Sequence, residues 1–264
     1  MALNNAALYI GTSNITLPGN KLSFPPEFRN RSRLSYYSSL FNSVEINSSF
    51  YKVPLARTFA RWASEVPDHF RFTVKLYKGI THSKNLLYDV KLIRDFLESA
   101  NELGSKKGCL LVQFPKSITP DNFDEVKGII ESTREYDPGL TWGLAAEFRH
   151  PGWVDRNSWY GRATMELLDR QQASLVVQDI PASLNEQSNE NAAFVYQRFH
   201  GVKGDYRGSY TSDLLEKKST QIREWLANGK TVYAYFNNTM GEGYSNALEL
   251  SALTRNLINI AGRH

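Results

Sequence analysis

The stretch Leu144-Ala145-Ala146-Glu147-Phe148-Arg149 decides the reading of this chain. Side chains of a β-strand point alternately to its two faces. Leu144, Ala146 and Phe148 form one apolar face, while the other begins at Ala145 and ends in Glu147 and Arg149. Five more segments repeat this pattern: Val44-Glu45-Ile46-Asn47, Phe70-Arg71-Phe72-Thr73-Val74-Lys75, Leu110-Leu111-Val112-Gln113-Phe114, Val195-Tyr196-Gln197-Arg198-Phe199-His200 and Val232-Tyr233-Ala234-Tyr235-Phe236-Asn237. Each delivers a charged or amide group at its C-terminal end. Separate strands that all do so describe the rim of a parallel β-barrel, the end at which barrel enzymes keep their sites.

Two further strands, Leu8-Tyr9-Ile10-Gly11-Thr12 and Ser174-Leu175-Val176-Val177-Gln178-Asp179, bring the number to eight. Between most of them lies room for a helix and two loops, as a parallel crossover requires. Apolar residues at helical spacing predict helices over 57–64, 89–103, 121–132, 158–171, 211–228 and 245–260. The stretch 181–191 is too short and polar for a full helix and predicts a loop or a single turn. The stretch 15–29, with Pro18, Gly19, Pro25 and Pro26, predicts a long irregular loop after the first strand. The 264 residues are close to the roughly 250 of one (β/α)₈ barrel. The expectation is an α/β chain whose residues 1–264 form a single TIM barrel with a reduced sixth helix.

Composition is that of an ordinary globular protein. The lone Cys109 sits in an apolar run, which predicts a buried small hydrophobe and suits a reducing, cytoplasmic setting. Met1 to Asn5 shows no signal-peptide pattern, and no run is long enough to span a membrane. A net charge of +4 permits an anionic ligand without requiring nucleic acid.

The rim residues supply the candidate chemistry. Glu45, Lys75, Glu147 and His200 are the candidate catalytic groups. Asn47, His82, Gln113, Arg149, His150, Trp153, Asp179, Arg198 and Asn237 are candidate substrate contacts. Glu147 and Arg149 can pair, as structure or as a device that orients an anion. Neighbouring strands make a Glu45–Lys75 pair natural, and a desolvated lysine beside a carboxylate can act as base or imine-forming amine. Trp153 can cover a ligand or pack on the following helix. Glycine-bearing loops follow strands seven and eight, where many TIM barrels hold phosphate, and Arg198, Lys203 and Arg207 add charge there. His82, His150, His200, Glu45, Glu147 and Asp179 show no short ligand motif, and cations crowd them, so no metal is expected.

Several strings resemble one family: Tyr9-Ile10-Gly11-Thr12-Ser13, Val44 to Tyr51, Phe72-Thr73-Val74-Lys75, Gln113-Phe114-Pro115, Ala146 to Trp153, Arg198-Phe199-His200-Gly201 and Tyr235-Phe236-Asn237-Asn238. Together they look like the YecE-like family, a domain of unknown function, from about residue 8 to about residue 250. The resemblance implies a TIM barrel and no established reaction, substrate or cofactor. Many members place glycine and tryptophan after the first motif. Here the chain reads Ser13-Asn14-Ile15-Thr16, so that aromatic contact is not carried over.

The residues point first to a metal-independent enzyme, a hydrolase, lyase or isomerase, acting on a polar anion such as a sugar phosphate or nucleotide. A second reading is a binding protein for such a ligand or for single-stranded nucleic acid. Glycoside hydrolysis ranks third, because the carboxylates stand on strands two and five. Cofactor and oligomeric state are left unassigned, and no membrane partner is expected.

Overall fold

The computed structural model describes residues 6–261. The stretch Met1 to Asn5 and the side chains of Leu257 and Ile260 lie outside what it describes. The strands are β1 (Leu8–Thr12), β2 (Ser43–Ile46), β3 (Arg71–Lys75), β4 (Lys107–Phe114), β5 (Gly143–Phe148), β6 (Ala173–Leu175), β7 (Val177–Gln178), β8 (Phe194–Phe199) and β9 (Thr231–Phe236). Two parallel ladders run β2-β3-β4-β5-β6 and β1-β9-β8-β7. β6 and β7 are halves of one stave interrupted at Val176, whose N–H still bonds Ala146 O at 2.9 Å. The eight staves thus match the expected barrel.

The β1–β2 seam closes largely through side chains. Ser13 and Glu45 form a single parallel bridge. Asn42 takes the part of a strand residue: its Oδ1 accepts from Ile10 N–H at 2.9 Å and its Nδ2 donates to Leu8 O at 2.7 Å. The Tyr37 hydroxyl accepts from Thr12 N–H at 2.7 Å and donates to Ser43 O at 3.2 Å. Gly11 permits this approach, because a Cβ there would lie 2.0 Å from Ser43 O.

Helices α1 (Arg33–Leu40), α2 (Ser48–Tyr51), α3 (Ala56–Ser64), α4 (Lys78–Thr81), α5 (Lys91–Ala100), α6 (Phe123–Glu135), α7 (Trp159–Arg170), α8 (Ser212–Ala227) and α9 (Gly243–Ala261) follow the strands. α1 was not among the expected helices. Its three serines and two tyrosines break any apolar stripe. Ser32 starts it by accepting from Ser35 N–H at 3.0 Å, and buried Leu34 and Tyr37 hold it. In place of a sixth helix stands one 3-10 turn, Pro181–Ser183. Asn185 and Asn189 then satisfy the strand: Asn185 Nδ2 donates to Val176 O and Asn189 Oδ1 accepts from Leu175 N–H, both at 2.8 Å.

Strand parity sets the two cores. Outward residues such as Val44, Phe72, Val112, Leu144, Phe148 and Val232 join the helices. The inward set, Cys109, Leu111, Ala145, Val176, Tyr196 and Tyr235, fills the barrel. Cys109 is fully buried and free, and burial raises its thiol well above the ordinary value. No described helix is long and apolar enough to cross a membrane.

Candidate functional site

The inward positions nearest the strand C-termini meet over the Tyr196 and Tyr235 layer. Arg198, on β8, is 1% exposed and reaches across the barrel. Its Nε donates to Glu45 Oε2 at 2.9 Å, its Nη2 to Glu45 Oε1 at 2.8 Å, and its Nη1 to Glu147 Oε2 at 2.6 Å. Glu45 also accepts from the Ser13 and Tyr196 hydroxyls, each at 2.6 Å, and from Asn47 Nδ2 at 3.1 Å. Burial works to raise both carboxyls. The guanidinium charge outweighs it: Arg198 holds Glu45, and Arg149 with Arg198 holds Glu147, below the usual carboxylate range. Burial likewise opposes charge on Arg198, but Glu147 and Glu45 push its pKa above the ordinary value.

A second chain leaves Glu147. Arg149 Nη2 pairs with Glu147 Oε1 and lies 3.1 Å from His200 Nε2. A guanidinium only donates, so Nε2 is the acceptor and the ring proton sits on Nδ1. Nδ1 lies 3.2 Å from Asp179 Oδ1, which also accepts from His200 N–H at 2.8 Å. Tyr210 donates its hydroxyl to Asp179 Oδ2. Burial, aided by Arg198, lowers His200 to about 4, so it stands neutral and fixes Arg149.

Above this layer lies a cavity of about 560 Å³. Lys75, Lys116, Arg149 and the outer edge of Arg198 supply charge to it. Asn14, Asn47, Gln113 and Asn237 supply amides, and Phe50, Tyr51, Tyr206 and Met240 supply apolar surface. Its walls contain no carboxylate among the described residues. Lys75 Nζ donates to Gln113 Oε1 at 2.8 Å and lies 4.2 Å from the Phe50 ring centre. Burial lowers Lys75 to about 8, with Arg198 next in the same direction and Glu147 and Glu45 pulling back. His82 closes one side, 2.9 Å from the Thr81 hydroxyl through Nδ1 and edge-on to Phe50. Burial, then the Lys75 charge, lowers it to about 4.

Of the residues read from sequence, Asn47, Lys75, His82, Gln113, Arg149, Arg198 and Asn237 line this cavity. Glu45, Glu147 and His200 are buried behind its wall, and Asp179 lines a separate, smaller cavity with Gln178 and Tyr210. The expected Glu45–Lys75 pair does not form. Arg198 presents a planar fork that satisfies both Glu45 oxygens, and Lys75 turns to Gln113. Trp153 does not cover a ligand: its ring is buried and stacked on Phe148 at 4.8 Å, and its indole N–H donates to Ile118 O at 2.8 Å. His150 caps the 3-10 turn Pro151–Trp153, accepting from Gly152 N–H at 3.2 Å. In the loops after β8 and β9 part of the backbone N–H set is already taken. Met240 N–H bonds Tyr206 O at 3.1 Å and Glu242 N–H bonds Gly208 O at 3.0 Å. Lys203 and Arg207 lie away from the cavity walls.

Sequence reading missed Lys116, Asn14, Phe50, Tyr51, Tyr206 and Met240, all of them outside the strands. Phe50 and Tyr51 carried a signal, because they close the string Val44 to Tyr51, and so did Lys116, which follows Gln113-Phe114-Pro115 directly. Among the described residues, no three His, Cys, Asp or Glu side chains come together as a metal site.

Comparison with known proteins agrees with this architecture. The chain matches the family described as "Protein of unknown function DUF72" over residues 9–260. It is 27% identical over 253 residues to the UPF0759 protein YunF of Bacillus subtilis (strain 168), covering 83% of this chain and 84% of that protein. It is 29% identical over 118 residues to the UPF0759 protein YecE of Escherichia coli (strain K12), covering 45% of this chain and 42% of that one. Among solved structures, a DUF72 family protein from Enterococcus faecalis V583 superposes with a TM-score of 0.78 at 24% identity, over 94% of this chain and 95% of the other. One from Thermotoga maritima MSB8 gives 0.73 at 25% identity, over 94% and 99%. These likenesses carry the fold and no activity. The chain belongs to the DUF72 family, the YecE-like proteins of unknown function.

Proposed function

We propose that the rim cavity is the site of a metal-independent enzyme acting on a small polar anion, such as a sugar phosphate or nucleotide-like molecule. One observation carries this reading. Four cations reach the cavity while the nearest carboxylates, Glu45 and Glu147, are buried below it and already bound to guanidinium groups. An anion placed between Arg149, Lys75 and Lys116 gains charge-assisted hydrogen bonds that the protein itself does not supply. The amides of Asn47, Gln113 and Asn237 suit the hydroxyl or amide groups of a polar ligand. Lys75 and His82 are titratable groups on the cavity wall, both lowered by burial. A cytoplasmic setting fits the buried thiol of Cys109.

The test is thermal unfolding against inorganic phosphate. Phosphate should raise the wild-type midpoint by mass action, and Lys75→Gln combined with Lys116→Ala should abolish most of that rise. Equal shifts in both proteins, or none in wild type, would refute the anion site.

A second reading has its own support. Tyr51 and Tyr206 are 67% and 36% exposed at the rim, and exposed rings beside cations can stack bases of a single strand. Salt-sensitive binding of an oligonucleotide would favour it. Glycoside hydrolysis lacks comparable support, since a general acid needs a raised carboxyl pKa and both buried carboxyls are held low.

A further inference from the structure

We propose that Lys75 is an imine-forming amine, whose Nζ condenses with the carbonyl carbon of a small anionic aldehyde or ketone held in the rim cavity. This rests on the anion reading above and adds the substrate class. Lys75 stands on the inward face at the end of β3 and opens to the cavity. Its polar partner is neutral, Gln113 Oε1 at 2.8 Å. Among the described residues it makes no ion pair, because Glu45 and Glu147 are taken by Arg198 and Arg149. An amine half-buried beside two guanidinium groups, with no carboxylate of its own, is poorly placed to stay charged. Phe50 covers one side of it, which leaves the cavity as the direction of attack.

With Lys75 lowered to about 8, roughly a tenth of it is the free amine near pH 7, against less than about one part in a thousand for an ordinary lysine. The free amine is the nucleophile. Its lone pair forms the C–N bond while the carbonyl π pair moves to oxygen. One amine proton passes to that oxygen, giving a carbinolamine. The hydroxyl then leaves with the second amine proton as water, and the C=N bond forms. No oxidant or reductant is consumed. Arg149 and Lys116, in the same cavity, would hold the substrate's anionic group.

The experiment uses glyoxylate, a small anionic aldehyde, with cyanoborohydride to reduce the imine, and peptide mass mapping to locate it. Lys75 should be modified at least about tenfold faster than exposed Lys116 and Lys78, and Lys75→Arg should lose this fast adduct while keeping the wild-type near-UV circular dichroism. A rate at Lys75 equal to or below those of the surface lysines overturns the imine proposal. If phosphate still raises the unfolding midpoint in that case, the anion reading survives without it. Fast trapping at Lys75 that phosphate leaves unchanged keeps the imine and removes the shared anion site.

Discussion

Replacing Arg198 with methionine tests whether the buried charges are organised as described. The substitution keeps an unbranched side chain of moderate volume but removes the single guanidinium that binds both Glu45 and Glu147. Both carboxylates are 0% exposed. Glu147 retains Arg149, whereas Glu45 is left with Ser13, Tyr196 and Asn47, all neutral donors. Breaking a buried pair from one side costs about 3–5 kcal/mol, a large share of the roughly 5–15 kcal/mol that holds a typical domain folded. The sign with pH is as informative as the size. In wild type, Glu45 is held below its unfolded value of about 4.3. Its contribution is therefore present above that pH and lost as pH falls. In Arg198→Met, burial acts on Glu45 without a counter-charge and raises it. The penalty should then be smaller near pH 5 than near pH 8, because protonation relieves the orphaned carboxylate. Urea unfolding followed by the fluorescence of buried Trp142 and Trp153 reads this directly. The double variant Arg198→Met with Glu45→Gln should recover much of the loss. A penalty under about 1 kcal/mol, or one that does not grow from acid to neutral pH, would refute the account of Arg198 as the keystone of the rim.

Two further perturbations probe other parts of the argument. His200 is fully buried and lowered to about 4, against about 6.5 unfolded, so the unfolded chain takes the proton first. Wild-type stability should be full above about pH 6.5 and fall by about 3 kcal/mol toward pH 4. His200→Asn should flatten that part of the profile, and an unchanged slope would show that His200 is not held neutral. Gly11→Ala places a methyl 2.0 Å from Ser43 O at the β1–β2 seam and should cost about 3 kcal/mol or more. Urea unfolding at wild-type concentration would show no such loss if the seam can open.

The barrel was legible because its information is local. A period-two alternation is a property of one strand, and Glu147 or Arg198 at a strand end declares its face wherever the strand docks. The absent sixth helix was legible for the same reason, since residues 181–191 hold too few apolar side chains to cover a sheet. α1 was not, because Ser32 and the seam contact of Tyr37 stabilise it in place of an apolar stripe. The pairing of charges was beyond local reading. Whether Glu45 meets Lys75 or Arg198 depends on strand register and on which side chain can span the barrel, and the longer, planar guanidinium of Arg198 reaches both carboxylates at once. That choice, made only when the barrel closes, leaves Lys75 facing the cavity with a neutral partner, and so separates the groups that hold the rim together from those able to meet a ligand.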